Sequence, residues 1–162
     1  MTNNDVLRRV RYVFDYNDSK IIAIFAQADL DVTREQISNW MKKEEDEAYV
    51  NCGDVQLATF LNGLINERRG KREGEQPKPE KKLNNNIIFR KLKIALDLKD
   101  DEILAILLLA DLRISKHELS AFFRRAEHKH FRACKDQILR NFLQGVQLKL
   151  RPEQSSSDFK WK

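Results

Sequence analysis

The sequence predicts an all-α protein made by tandem duplication of a four-helix unit, the two units packed as an intramolecular pseudo-dimer. Three observations predict it. Shifting the chain by 82 positions lays residues 4–65 on 86–147 without a gap, and 18 of those 62 positions are then identical; a repeat of this length has to be recognised before a fold is assigned. Apolar residues recur at spacings of three and four along both copies, the period of a half-buried helix. Five Gly and three Pro in 162 residues leave few turns for a many-stranded sheet.

Each unit reads as four helices in order. The first, from about Asn4 to Phe14, places Val6, Leu7, Val10, Val13 and Phe14 on one arc and Arg8, Arg9, Arg11 and Tyr12 on the other; in the second copy the outer arc holds Arg90, Lys91, Lys93 and Ile94. Residues 15–18 form a turn, with Asp18 and its counterpart Asp100 expected to cap a second helix of about ten residues. In the second copy that helix is apolar nearly all round, from Ile103 to Ala110, so it is expected to be central. The third helix is expected from Thr33 to about Lys43 and from Ser115 to about Arg125. Two start signals agree at each place. Thr33 with Gln36, and Ser115 with Glu118, are capping boxes, while Val32 with Ile37, and Ile114 with Leu119, have the spacing of a hydrophobic staple.

A charged connector follows, Glu44-Glu45-Asp46-Glu47 in one copy and Ala126-Glu127-His128-Lys129-His130 in the other. The fourth helix, from about Asp54 to Arg68, presents Leu57, Phe60, Leu61 and Leu64, with Asp54 and Asp136 expected at its caps or favoured by its dipole. Gly63 and Gly145 interrupt it. Gly costs about 0.5–1 kcal/mol there relative to Ala, so its identity in both copies points to a close helix crossing, with a ligand touching backbone as the minority reading. The organisation is a first repeat at 1–66, a charged linker at 67–85, a second repeat at 86–150 and a flexible tail at 151–162.

Charge divides the copies. Residues 4–65 carry seven basic and eleven acidic side chains, residues 86–147 twelve and eight, within a net charge of +5. A basic second half and linker suit an acidic partner such as nucleic acid, although the total falls short of a strongly basic binder. The helix-turn-helix spacing, a second helix, a short turn of one or two residues, a hydroxyl cap and an amphipathic third helix, points the same way. The candidate nucleic-acid-binding residues are Arg8, Arg9, Arg11, Arg90, Lys91 and Lys93 on the first-helix arcs, and Lys116, Arg124 and Arg125 on the second copy's third helix. Against it stand Asp29 and Asp111, where a turn Gly is common, and the four carboxylates of residues 44–47, which repel phosphate. The alternative is a protein-interaction adaptor that uses a groove between the repeats, or Phe159 and Trp161 in the tail.

Other chemistries find little support. Cys52 and Cys134 are repeat equivalents, expected as packing positions rather than a disulfide. His128, His130 and Cys134 face Asp46, Ala48 and Cys52 across the repeat and lack a fourth ligand, so no metal is expected. No Gly-rich phosphate loop or partnered nucleophile occurs, so no enzyme, cofactor or catalytic residue is assigned. No apolar run approaches the ~20 residues that span a bilayer. The start Met1-Thr2-Asn3-Asn4-Asp5 lacks the basic and then apolar regions of a secretory signal, so a cytoplasmic location is expected.

The doubled pattern also resembles a known family. Asn-Asp-Val-Leu-Arg-Arg-Val-Arg-Tyr opens the first copy, Asn-Asn-Ile-Ile-Phe-Arg-Lys-Leu-Lys the second, and Asp-Leu-x-Val/Ile-Thr/Ser precedes each third helix. Over about residues 3–150 this looks like the YehS family of small bacterial proteins. The resemblance implies a bacterial, cytosolic, duplicated helical protein; the family's function is unknown, so it supplies no catalytic residue.

Overall fold

The computed structural model describes residues 1–152, and among them are eight helices and no strand: α1 (Asn3–Phe14), α2 (Asp18–Gln27), α3 (Arg34–Met41), α4 (Asp54–Arg69), α5 (Asn85–Ala95), α6 (Asp100–Leu109), α7 (Lys116–Phe122) and α8 (Asp136–Leu150). The tail aromatics Phe159 and Trp161 lie outside the described residues. The chain forms two compact units, Met1–Asp97 and Leu98–Lys162.

In unit 1, α4 packs between α2 and α5, with α1 and α3 completing the core. The apolar stripes meet as their spacing requires: Val6, Leu7, Val10, Val13, Ile21, Ile24, Phe25, Ile37, Trp40, Leu57, Phe60, Leu61 and Leu64 are all buried. Phe25 joins three helices, its ring centroid 5.6 Å from Trp40 and 5.3 Å from Phe60. Each such side chain contributes about 1.5–3 kcal/mol on burial, against about 0–1 for an exposed ion pair, so the stripes hold the unit together. Unit 2 packs α6 against α8 and α7 around Ile103, Ile106, Leu107, Leu119, Phe122, Leu139, Phe142 and Leu143.

The repeated glycines mark close crossings. A Cβ on Gly63 would stand 2.0 Å from the carbonyl oxygen of Ile24, and one on Gly145 would stand 2.1 Å from that of Ile106. α2 thus lies directly on α4, and α6 on α8, with backbone against backbone.

Local chemistry sets the helix starts. At α3 the Thr33 hydroxyl accepts from Gln36 N–H at 3.1 Å while the Gln36 side chain accepts from Thr33 N–H at 2.8 Å; Ser115 and Glu118 repeat this at α7 with 3.0 and 3.1 Å. A further capping box, Thr2 with Asp5, opens α1. The aspartate caps are corrected. Asn17 caps α2 by accepting from Lys20 N–H at 2.8 Å, and Asp18 is the first helical residue. Likewise Lys99, Gly53 and Lys135 hold the cap positions ahead of Asp100, Asp54 and Asp136; Asp54 and Asp136 stand in the first turn, where the helix dipole favours them, the other of the two roles expected. Asp54 is engaged elsewhere, accepting from Asn3 Nδ2 at 2.7 Å and Leu83 N–H at 2.9 Å.

Four aspartates close helices in the left-handed conformation: Asp15, Asp29, Asp97 and Asp111, with φ of 54°, 64°, 52° and 61°. They occupy the place glycine commonly takes. The connection to the third helix is consequently six residues, 28–33 and 110–115, instead of a one- or two-residue turn. A left-handed L-residue costs about 1–2 kcal/mol and glycine returns about 0.5–1 through its freedom when unfolded. Asp29→Gly, at an exposed position, should therefore raise stability by about 0.5 kcal/mol, read as a shift in thermal midpoint.

Two asparagines, buried Asn4 and half-buried Asn3, tie α1 to the connector 42–53. Asn4 Nδ2 donates to the carbonyls of Trp40 and Val50, both at 2.9 Å, and its Oδ1 accepts from Cys52 N–H at 2.9 Å. Asn3 Nδ2 adds Cys52 O at 3.0 Å. Asn86, the repeat counterpart of Asn4, is also buried.

Long-range packing sets three further features, the first of which revises an expectation. α6 covers only one side of itself: Leu108 and Leu109 remain 48% and 50% exposed, so it is not buried all round. Residues 68–75 are exposed, yet the linker is fastened by Asn66 Nδ2 donating to Gln76 at 2.8 Å and by Glu80 pairing with Lys91 at 3.0 Å. α5, which opens the second repeat in sequence, packs on α4 within unit 1.

Candidate nucleic-acid interface

The first-helix arcs are engaged within unit 1. Arg9 is fully buried: position 9 lies three residues after Val6 and four before Val13, on the flank of the inward stripe, which corrects its placement on the outer arc. Arg8 pairs with Asp5, and Arg11 with Asp18 at 2.7 Å. Lys91, with its side chain 13% exposed, bonds Glu80 and donates to Asn62 Oδ1 at 2.5 Å. Arg90 is exposed and Lys93 half-buried. The arcs are tied into local polar networks, and do not form one open stripe.

Unit 2 concentrates exposed cations elsewhere. Between residues 113 and 135 stand seven Lys or Arg, two acidic residues and all three histidines; the equivalent residues 31–53 hold three basic and six acidic side chains. One structural segment, used twice, thus carries opposite charge. Lys116 is exposed on α7, 3.6 Å from Asp101. α7 ends at Phe122, where Phe123 N–H bonds Ser120 O, so Arg124 and Arg125 stand in the connector and not on the third helix.

The connector has a defined shape. Arg132 N–H bonds Ala121 O at 3.1 Å, as Val50 N–H bonds Asn39 O in the first copy. His128 Nδ1 accepts from His130 N–H at 3.0 Å, just as Asp46 Oδ1, its repeat equivalent, accepts from Ala48 N–H at 2.9 Å. A histidine thereby keeps the turn while removing a negative charge. The His128 and His130 rings lie 5.5 Å apart, and an Arg124 guanidinium nitrogen stands 3.5 Å from His128 Nε2. Glu118, one of the two acids, is committed to the α7 cap: the Ser115 backbone and hydroxyl hold its carboxyl below the usual range, helped by nearby Arg132 and His117.

Sequence reasoning named Lys116, Arg124 and Arg125 but missed Lys129, Arg132 and Lys135 as members of the same segment. The signal was available in the aligned charge difference between 113–135 and 31–53.

The remaining titratable groups read as structure. Burial pushes the Cys52 thiol up to about 12, with Asp54 adding to it, and the Cys134 thiol likewise, with Asp136 adding. Both cysteines are buried and neither is in a disulfide. Among the described residues no group of three or more His, Cys, Asp or Glu could hold a metal ion, and no helix is long and apolar enough to cross a membrane. The Asn3 amide and Leu83 N–H hold the Asp54 carboxyl low, and Lys20 does so for Glu67. Burial opposes the same effect at Asp5, where hydrogen bonds from Thr2 and Arg8 prevail.

These shifts fix the shape of the stability profile. The lowered carboxyls contribute above their unfolded values, near pH 4–4.5, and lose that contribution as pH falls through their folded ones. The raised thiols contribute fully below about pH 9 and lose it as pH climbs toward 12. Denaturant midpoints should be flat from about pH 5 to 9 and fall on both sides; a midpoint that rises above pH 9 would contradict the burial of the thiols.

Comparison with known proteins agrees with the duplication. The model of a family described as "Protein of unknown function (DUF1456)" matches residues 3–70 and again 85–151. The "Uncharacterized protein YehS" of Escherichia coli (strain K12) is 46% identical over 147 residues, covering 90% of this chain and 94% of that protein. No solved structure matches. With two matches that together span most of the chain, and a relative this similar along nearly its whole length, the chain belongs to the DUF1456 family.

Proposed function

We propose that the chain is a non-enzymatic binding protein whose second unit presents α7 and the following connector to nucleic acid. The observation that carries this reading is the charge inversion between equivalent segments, with seven basic and two acidic side chains in 113–135 against three and six in 31–53. Arg124, Arg125 and Lys129 reach solvent from a connector whose backbone is fixed by its own turns, and Arg132 follows. Backbone phosphates, spaced along a strand, are the ligand such a surface fits; base reading is not required. α7, with seven residues, and its six-residue approach favour phosphate contact over groove insertion.

Fluorescence anisotropy with duplex DNA and with RNA, titrated across salt, tests the reading. Binding should be measurable at about 0.05 M salt, with a log–log salt slope near −3 to −4 if four side chains meet phosphate. Arg124→Glu, Arg125→Glu and Lys129→Glu together should abolish binding without moving the thermal midpoint. Undetectable binding of the native chain to both nucleic acids at low salt would end the proposal.

A further inference from the structure

Unit 2 has an apolar face that unit 1 lacks. Leu104, Ala105, Leu108, Arg113 and Ile114 line a cavity of about 230 Å³ at the surface of α6. Leu108 and its neighbour Leu109 are 48% and 50% exposed. At the equivalent places unit 1 has Ala26 and Gln27, and Gln27 is bonded to Glu67 at 2.7 Å. The difference is therefore confined to the second copy, and adjacent exposed leucines beside a hollow are a surface that gains by being covered.

The chemistry of the rim selects the occupant. Arg113 stands in the lining, which contains no carboxylate, and Lys116 lies just beyond with Asp101 beside it. The matching surface is apolar at its centre and acidic around it. Unit 1 carries such a surface: exposed Glu44, Glu45, Asp46 and Glu47 lead into Val50, which is 47% exposed. That segment is already shaped. Asp46 N–H bonds Lys43 O and Tyr49 N–H bonds Asp46 O, both at 3.0 Å, and Val50 N–H bonds Asn39 O at 3.1 Å, so little ordering entropy remains to be lost on docking.

We propose that the occupant is a second copy of this chain, whose unit 1 connector sets Val50 and its carboxylates against the α6 face of unit 2. The contact is head-to-tail: each molecule offers one acidic connector and one basic-rimmed face, so it leaves an unused surface at either end and permits further addition or ring closure. A face-to-face pairing of two α6 surfaces is disfavoured, because it would bring Arg113 and Lys116 toward their own copies. The contact is small, so association on the order of 10–100 µM in low salt is expected, weakening as salt rises.

Sedimentation velocity on full-length protein freed of nucleic acid is the test. Native protein should grow beyond monomer with concentration at low salt. Leu108→Asp removes one side of the contact, and Glu44→Lys with Glu47→Lys removes the other; all three sites are exposed, and Val50→Asp offers a second variant on the acidic side. Each variant alone should lose association at least tenfold. Mixed in equal amounts, Leu108→Asp and Glu44→Lys/Glu47→Lys should form a one-to-one dimer that grows no further, since each retains the surface the other needs. Monomeric native protein at about 1 mM, an order of magnitude above the expected constant, would overturn the proposal. So would native-like association of either variant, or a mixture that stays monomeric. Leu108→Asp leaves Arg124, Arg125 and Lys129 untouched, so loss of self-association and loss of nucleic-acid binding are read separately.

Discussion

Gly63→Ala should destabilise the protein by about 3 kcal/mol or more, and Gly145→Ala should do the same in unit 2. The sign is the informative part. Alanine is the better helix former by about 1 kcal/mol, so propensity alone predicts a gain at both positions. The added methyl carbon, however, would stand 2.0 Å from Ile24 O in one case and 2.1 Å from Ile106 O in the other. The obstacle is backbone, which cannot rotate aside as a side chain would. Relief requires α2 to lift from α4 by about 1 Å, which loosens Ile24, Phe25 and Phe60 in a core where small gaps already forfeit dispersion energy. Overpacking ordinarily costs about 1–3 kcal/mol, and a rigid backbone contact belongs at or above the upper end. Urea unfolding with an unchanged slope is the measurement; a midpoint equal to or above that of the native chain would refute the close crossing.

Asn4→Leu should rival that loss. The replacement is similar in volume but strands two carbonyls, of Trp40 and Val50, and the N–H of Cys52. Each unsatisfied buried group costs about 1–3 kcal/mol, so with three groups, the Val50 carbonyl only part-buried, a loss of at least about 3 kcal/mol is expected. Asn4→Asp should be no milder, because a carboxylate still accepts from Cys52 N–H but turns a second acceptor toward two carbonyls. The damage should be local as well as global. Amide exchange in residues 42–53 should accelerate beyond what the stability change alone gives, because the clamp is what fixes that connector to α1. Uniform exchange at the global rate would argue that the connector holds its shape unaided.

What could be read from the sequence follows the range of the interaction involved. The capping boxes at Thr33/Gln36 and Ser115/Glu118 were legible because both partners lie within one turn. Gly63 and Gly145 were legible because a residue poor in helices recurs at the same place in two copies. The cap of α2 was misjudged by one residue since Asn17 and Asp18 are equally able to cap, and only the pairing of Asp18 with Arg11 separates their roles. Arg9 looked exposed because its charge outweighed its spacing, yet position 9 shares a face with Val6 and Val13. The bonds of Asn4 reach 36 to 48 residues along the chain, and no local pattern announces them. For the candidate interface, the cations were visible individually and their extension through 113–135 in the aligned charge difference; that Arg124 and Arg125 belong to the connector follows from α7 ending at Phe122.

The packing of α5 on α4 bears on what happens when the chain is severed. Residues 68–75 are exposed and polar, the obvious place for a protease to nick. Yet the piece downstream of such a nick begins with the helix whose Ile88, Phe89 and Leu92 are buried in unit 1, reinforced by Lys91 on Asn62 and by Leu83 N–H on Asp54. Cleavage would leave two polypeptides joined without a covalent bond. The inherited module and the folding module are offset by one helix, so the peptide link between the repeats is the part of the molecule that can most readily be lost.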